Sequence, residues 1–172
     1  MPSGPRTTIW DAPPHTLAKI EILRAYMQAY VPILAMSKRQ RKLIIHDGFA
    51  GPNLYTNGGN GSPSAVLTAC REAVAQIGDS WIADDLICVF SEFDKARFQF
   101  LQSSVNDVPK PYRLKAHTLC CSFVEAVNWI DEEYSSDLQI NSPRFTFIDP
   151  FGATGAPFSV IRGLLPEYHP RY

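Results

Sequence analysis

Residues 41–62 read RKLIIHDGFAGPNLYTNGGNGS and combine three successive structural signals. The apolar run Leu43–Ile45 predicts a buried parallel strand that ends at Asp47. A loop with five glycines follows, and Ser62 and Pro63 then fit the N-cap and first position of a helix. Strand, glycine-rich loop and helix in this order predict the first βα unit of a doubly wound sheet, in which ligands bind beyond the carboxyl ends of the strands.

The rest of the chain repeats the βα pattern. We predict a long first helix that kinks or breaks at Pro32, helices capped by Asp94 and Ser122, and a last helix from about Pro157. The later strands are predicted at Leu86–Phe90, Tyr112–Ala116 and Arg144–Ile148. These elements predict an α/β fold with a doubly wound, mainly parallel, Rossmann-like sheet in the strand order 3-2-1-4.

Bulk composition narrows the class of protein. The 172 residues, 45% of them hydrophobic, suit one domain, which we predict at residues 15–172 after a leader at residues 1–14. A net charge of −1 argues against a nucleic-acid coat protein or a membrane-surface binder. No apolar run approaches the ~18 residues of a membrane span, so we predict a cytoplasmic protein. The four cysteines lack zinc-site spacing, which predicts free thiols and no metal.

Three acids follow predicted strands, namely Asp47, Glu92 and Asp149. A doubly wound sheet brings the carboxyl ends of its strands to one rim, so these acids should converge there. Glu92 occupies the position at which an acid accepts hydrogen bonds from the ribose of a nucleotide-like cofactor. The alternative for Glu92 is an ordinary helix-entry carboxylate favoured by the helix dipole. The loop matches neither the phosphate-loop nor the G-x-G-x-x-G pattern, so neither NTP hydrolysis nor NAD chemistry is indicated.

The string Asp47–Pro52, DGFAGP, resembles the first motif of class I S-adenosylmethionine-dependent methyltransferases. Together with His15–Lys19 (HTLAK), Glu92 and Phe147–Gly152 (FIDPFG), it makes the chain resemble the three-Cys-motif partner family. These prokaryotic and phage proteins have a methyltransferase-like domain and are named for a neighbouring protein that resembles radical S-adenosylmethionine enzymes. The resemblance runs from about Trp10 to Leu165, and it implies S-adenosylmethionine as cofactor and a three-Cys-motif protein as partner.

The resemblance also implies roles for individual residues. Asp47, Gly48, Phe49, Ala50 and Gly51 would line the methionine part of the cofactor. Glu92 would hold the ribose, and Phe93 would lie against the adenine. Asp149, Pro150 and Phe151 would form the catalytic motif, which departs from the [D/N]-P-P-[Y/F] of amino methyltransferases acting on bases. Asn53 replaces a usual glycine, and asparagine tolerates the left-handed conformation best after glycine.

Several alternatives stay open from the sequence. The apolar fourth strand would be an exposed sheet edge, which implies a C-terminally truncated methyltransferase-like sheet or oligomer formation through that edge. A non-catalytic scaffold subunit or an inactive remnant is the alternative to an enzyme. Nucleic-acid methylation would predict salt-sensitive binding through Lys38, Arg39, Arg41 and Lys42, although these cations also suit a solvated connection.

Overall fold

The computed structural model describes residues 7–37, 42–139, 142–150, 152 and 155–165. Helices and strands alternate along these residues, as the βα pattern predicts. In chain order they are α1 (Pro14–Ala35), β1 (Lys42–Asp47), α2 (Ser62–Ile77), β2 (Asp85–Ser91), α3 (Lys95–Asn106), β3 (Leu114–Leu119), α4 (Phe123–Glu133), α5 (Ser135–Gln139), β4 (Arg144–Phe147) and α6 (Phe158–Leu164).

The four strands form one parallel sheet in the order β3-β2-β1-β4, as predicted. The central strand β1 pairs with β2 along its whole length and with β4 through Ile44 to Asp47. Both central strands are almost entirely buried, which fits their continuous apolar sequences. The carboxyl ends of β1, β2 and β4 therefore lie at a common rim.

Helices cover both faces of the sheet. The larger hydrophobic cluster joins α1, α2 and α3 to one face, where Ile45, Leu86 and Phe90 point. The smaller cluster joins Ile44 and Ile87 on the other face to α4, with Leu138 of α5 packed against it. Alternation along β1 thus sends adjacent isoleucines into different clusters, which is the expected layering of an α/β domain.

Of the two outcomes predicted at Pro32, a kink or a break, the break does not occur. Helix α1 continues through Pro32 to Ala35, and Val31 and Ala35 on either side are completely buried. Proline removes one helical N–H and crowds the preceding turn. Because Pro32 lies in the last turn of α1, packing of these neighbours against the core is sufficient to keep the helix continuous.

Several element boundaries also differ from expectation, and β3 continues past the predicted Ala116 to Leu119. Gly61, not Ser62, is the N-cap of α2, and a Cβ at Gly61 would lie 2.9 Å from Cα of Asn53. The third strand begins at Leu114, since the Leu114 amide donates to the Pro111 carbonyl in a turn and Tyr112 is 95% exposed. The turns that precede α2 and β3 therefore determine where these two elements begin.

Several other predictions are met. Asp94 caps α3 by accepting a hydrogen bond from the Arg97 amide, and Ser122 forms a capping box with Glu125 at the start of α4. All four cysteines are free, with Cys70 and Cys88 buried and their Sγ atoms 3.9 Å apart. Across the residues that the structure describes, no helix is both long and apolar enough to cross a membrane.

Candidate functional site

The glycine-rich loop after β1 is fastened to the ends of two neighbouring strands by backbone hydrogen bonds. The Gly48 amide donates to the Phe147 carbonyl of β4, and the Ala50 amide donates to the Ser91 carbonyl of β2, each at 3.0 Å. These bonds extend the hydrogen bonding between β1 and its two neighbouring strands past the end of β1. The loop is consequently held at the rim where the sequence placed the candidate site.

Asp47 is completely buried at the base of this loop. Its Oδ1 accepts a hydrogen bond from the Phe49 amide at 3.2 Å, whereas no described residue hydrogen-bonds to Oδ2. Burial raises the pKa of Asp47 to about 6, and the Ser62 hydroxyl and the Phe49 amide partly offset this rise. Ser62, expected as a helix cap, therefore contributes to the environment of a rim carboxylate instead.

Glu92 follows β2 and supports the loop from the side. Its Oε1 accepts a hydrogen bond from the Asp94 amide at 2.8 Å, and only 8% of the residue is exposed. Burial raises the pKa of Glu92, while the amides of Asp94 and Gly51 and the charge of Arg97 oppose that rise. Glu92 thus connects the end of β2, the start of α3 and the glycine-rich loop. Phe93, the next residue, is 76% exposed.

Gly48 makes room for a stack of rings. A Cβ at Gly48 would lie 2.4 Å from the Phe123 ring, which stacks on His46 at a centroid distance of 5.7 Å and on Phe49 at 5.5 Å. Burial lowers the pKa of His46 to about 4, and Arg144 adds to this effect. Gly48 therefore has a packing role beneath the loop.

A cleft of about 220 Å³ lies between the glycine-rich loop, the first turns of α1 and the end of β4. Its described lining includes Phe49, Ala50, Gly51, Asp149 and Pro150 from the predicted set, but not Asp47, Gly48, Glu92 or Phe93. It also includes His15, Lys19 and Tyr55, which add a ring nitrogen, a cation and a phenol. This arrangement suits a small polar ligand held by hydrogen bonds and charge.

Lys19 and Asp149 form an ion pair across this cleft, with Nζ and Oδ1 2.7 Å apart. The two side chains are 48% and 36% exposed, so solvent screens the pair and its contribution to stability is small. Its position matters more than its strength, because it joins α1 to the end of β4. Sequence reasoning did not pair the two residues, since 130 positions separate them.

Asn53 also holds the glycine-rich loop in place, and the sequence predicted only part of its role. Its φ of +61° matches the expected left-handed conformation. Its buried amide also donates to the hydroxyls of Ser64 and Ser104, each at 2.9 Å, and accepts from the Ser64 amide at 3.0 Å. Asn53 thereby ties the loop to both α2 and α3, which a glycine could not do.

The segment before α1 packs over the loop. Trp10 meets the Tyr55 ring edge-on at 5.9 Å, and the Arg97 guanidinium lies 5.0 Å from the centre of the Trp10 ring. The Ala12 amide donates to Oδ1 of Asn57 at 3.3 Å. Residues of the predicted leader therefore help to enclose the cleft, as Trp10 in its lining shows.

Other predicted residues lie away from this cleft or outside the described ranges. Lys42 begins β1 and therefore stands at the opposite end of that strand from Asp47. It is paired with Asp137 at 2.7 Å and lies 5.6 Å from the centre of the Tyr134 ring. Phe151, Lys38, Arg39 and Arg41 lie outside the described residues. Within the described ranges, no group of three or more His, Cys, Asp or Glu residues could hold a metal ion.

Comparison with known proteins adds no family assignment. Neither the scan against protein-family models nor the search of curated proteins finds a match to this chain.

Proposed function

We propose that this chain is an S-adenosylmethionine-binding, methyltransferase-like protein that acts with a three-Cys-motif protein on a substrate still to be identified. The observation that carries the proposal is the cleft between the glycine-rich loop and Asp149, at the rim of a parallel sheet, next to an acid that follows β2. This is where doubly wound folds bind their ligands. The DGFAGP and IDPFG strings supply the resemblance from which cofactor and partner are inferred.

The residues present are compatible with such a cofactor. A Cβ added at Gly51, whose φ is +62°, would meet no heavy atom within 4 Å, so open space lies in front of the loop backbone. In the proposal, Phe49 to Gly51 line the methionine end, Glu92 binds the ribose and the exposed ring of Phe93 lies against the adenine. S-adenosylmethionine would supply the methyl group, and the protein would orient it, a contribution that needs no acid–base pair.

Asp149 and Pro150 are the described candidates for orienting the substrate. Because Asp149 is paired with Lys19, a substrate amine could bind to Asp149 only by displacing that cation or sharing the carboxylate with it. The proposed motif continues into Phe151, which lies outside the described residues. The role of Asp149 in the proposal is therefore positioning of a polar substrate group beside the cofactor.

Titration calorimetry with S-adenosylhomocysteine tests the proposal. Glu92→Gln keeps an oxygen acceptor for the Asp94 amide but weakens pairing with two ribose hydroxyls, so we expect about tenfold weaker binding. Phe93→Ala should also weaken binding, whereas Tyr112→Ala, which removes an aromatic ring that is 95% exposed before β3, should not. Absence of heat from the folded native chain at two well-separated temperatures would reject cofactor binding, because the binding enthalpy changes with temperature.

A non-catalytic scaffold subunit is the second candidate. It is favoured by the burial of Glu92, whose carboxylate already serves two backbone amides, and by the size of the cleft. About 220 Å³ is below the roughly 300–1,000 Å³ of ordinary ligand pockets. A folded chain that binds a three-Cys-motif protein but not S-adenosylhomocysteine would support this second candidate.

A further inference from the structure

Helix α1 carries an apolar face that the described residues leave uncovered. Ile22 and Ile33 are 70% and 68% exposed, and Tyr26 and Met36 are about half exposed. With the exposed Ala25 and Ala29 they form one side of the helix, which we call the outer face of α1. This face carries no charged residue, whereas the opposite face packs into the core through Leu23, Met27 and Val31. An amphipathic helix normally turns its polar residues to solvent, so a contiguous apolar face that is exposed marks an interaction surface.

Strand β4 contacts this helix through Phe145, and within the described ranges it is an open edge of the sheet. The Tyr26 ring stacks on Phe145 with centroids 5.2 Å apart, and the Tyr30 ring contacts Phe145 in a tilted arrangement with centroids 5.8 Å apart. Among the described residues, β4 pairs only with β1. The carbonyls of Pro143 and Phe147 accept hydrogen bonds from the amides of Ile44 in β1 and Gly48 just after it. By alternation, the backbone groups of Arg144, Thr146 and Ile148 point to the open side. None of these three residues is a proline, so all three N–H groups can bond to another strand.

We propose that a second copy of this chain covers both surfaces, with the two β4 strands pairing antiparallel across a two-fold axis at Thr146. The exposed backbone groups of Thr146 would then bond to those of the partner copy's Thr146. Arg144 would face Ile148 of the other copy in the same ladder. The sheet would become a continuous eight-stranded sheet, and the interface would be self-complementary, as two-fold symmetry requires.

Side chains agree with this register. On the α1 side of the sheet, Phe145 of each copy would lie opposite Phe147 of the other, in the closely spaced type of antiparallel pair. Aromatic pairs directly across strands stabilise antiparallel sheets. On the other side of the sheet, Thr146 would face Thr146 of the second copy, and paired threonines also stabilise antiparallel strands. Arg144 places no unpaired charge in the junction, because it is bound to Asp131 in its own chain.

The same axis brings the two outer faces of α1 together. Neighbouring strands lie about 4.8 Å apart, so a helix above β4 and β1 lies about 5 Å from an axis at the outer side of β4. Two such helices would be separated by about 10 Å, which is within the usual 8–10 Å of packed helices. Tyr26 and Tyr30 lie at the height of Phe145, so the small residue Ala29 falls near the crossing point. One symmetry operation therefore covers both exposed surfaces.

Sedimentation velocity of the full chain tests this dimer. We expect a species of twice 19.2 kDa that dissociates on dilution. Thr146→Pro removes the central N–H from an edge position where proline is tolerated, and Ile33→Lys places a charge in the outer face of α1. Each substitution should weaken association at least about tenfold. Tyr112→Lys is the control and should remain dimeric, because Tyr112 is 95% exposed just before β3, the strand at the opposite edge of the sheet from β4.

Two results would overturn the proposal. One is a native chain that stays monomeric at about 0.1 mM, which would leave these surfaces to a different protein. The other is a dimer that neither substitution weakens, which would place the interface elsewhere. Circular dichroism of each variant establishes that it is folded. Neither sedimentation velocity nor circular dichroism depends on cofactor binding, so failure of the dimer and failure of the proposed function are distinguishable.

Discussion

His46 and Asp47 are adjacent buried residues whose pKa values shift in opposite directions. Burial lowers the pKa of His46 from 6.5 to about 4 and raises that of Asp47 from 3.8 to about 6. The unfolded chain therefore binds a proton at His46 that the folded chain does not, and stability rises with pH between about 4 and 6.5. At Asp47 the folded chain binds the extra proton, and stability falls as pH rises from about 4 to 6.

We predict that single substitutions separate these two opposing contributions. Each shift of about two pKa units corresponds to about 3 kcal/mol, so the two nearly cancel in the native chain. Relative to the native chain, Asp47→Asn should gain stability as pH rises from 4 to 7, and His46→Phe should lose it. Urea unfolding at several pH values measures this difference, which is independent of groups that all three proteins share. Parallel pH profiles for the three proteins would contradict the prediction.

At the scale of elements, the glycine-rich loop depends on Asn53 for its attachment to α2 and α3. Asn53→Gly keeps the left-handed backbone but removes the hydrogen bonds to Ser64 and Ser104, and we expect a loss of about 1–3 kcal/mol. Asn53→Ala removes the same bonds and adds strain at φ +61°, so its cost should be larger by about 1 kcal/mol. Denaturant unfolding of the three proteins gives both differences.

The two substitutions separate backbone conformation from hydrogen bonding. Equal stability of the glycine variant and the native chain would mean that Asn53 acts only through its backbone. Ser104→Ala provides a further comparison, because it removes one partner in α3 while leaving φ at Asn53 unchanged. Its cost should be smaller than that of Asn53→Gly, which loses both partners.

At the scale of the whole molecule, the topology was predictable because its signals are local. Leu43–Ile45 and Leu86–Phe90 are continuous apolar runs, and Asp94 and Ser122 precede amphipathic segments as helix caps do. Turn geometry and tertiary packing overrode such signals at Pro32, Gly61 and Leu114, and neither the extension of β3 to Leu119 nor helix α5 was predicted. The residues that line the site were harder to predict from the sequence, because Lys19 and Asp149 form an ion pair although 130 positions separate them. No local pattern encodes such a pairing.

The sheet also separates the core into two clusters, which determines how core substitutions combine. Ile44 and Ile45 are neighbours on β1, but Ile44 belongs to the α4 cluster and Ile45 to the α1, α2 and α3 cluster. Ile44→Val and Ile45→Val should each cost about 0.5–1.5 kcal/mol. Since their side chains lie on opposite faces and share few neighbours, we predict that the double variant shows the sum within about 0.5 kcal/mol.

Ile44 and Ile130 provide the contrasting pair, because both are fully buried in the smaller cluster. A cavity left by Ile130→Ala lets the remaining side chains relax, so the cost of adding Ile44→Val should change by at least about 0.5 kcal/mol. Double-mutant cycles in urea measure both couplings under one condition. Strong coupling between Ile44 and Ile45, with none between Ile44 and Ile130, would show that strain passes through β1 more readily than within a cluster. The expected order instead follows from a stiff, fully hydrogen-bonded central strand with independent packing on its two faces.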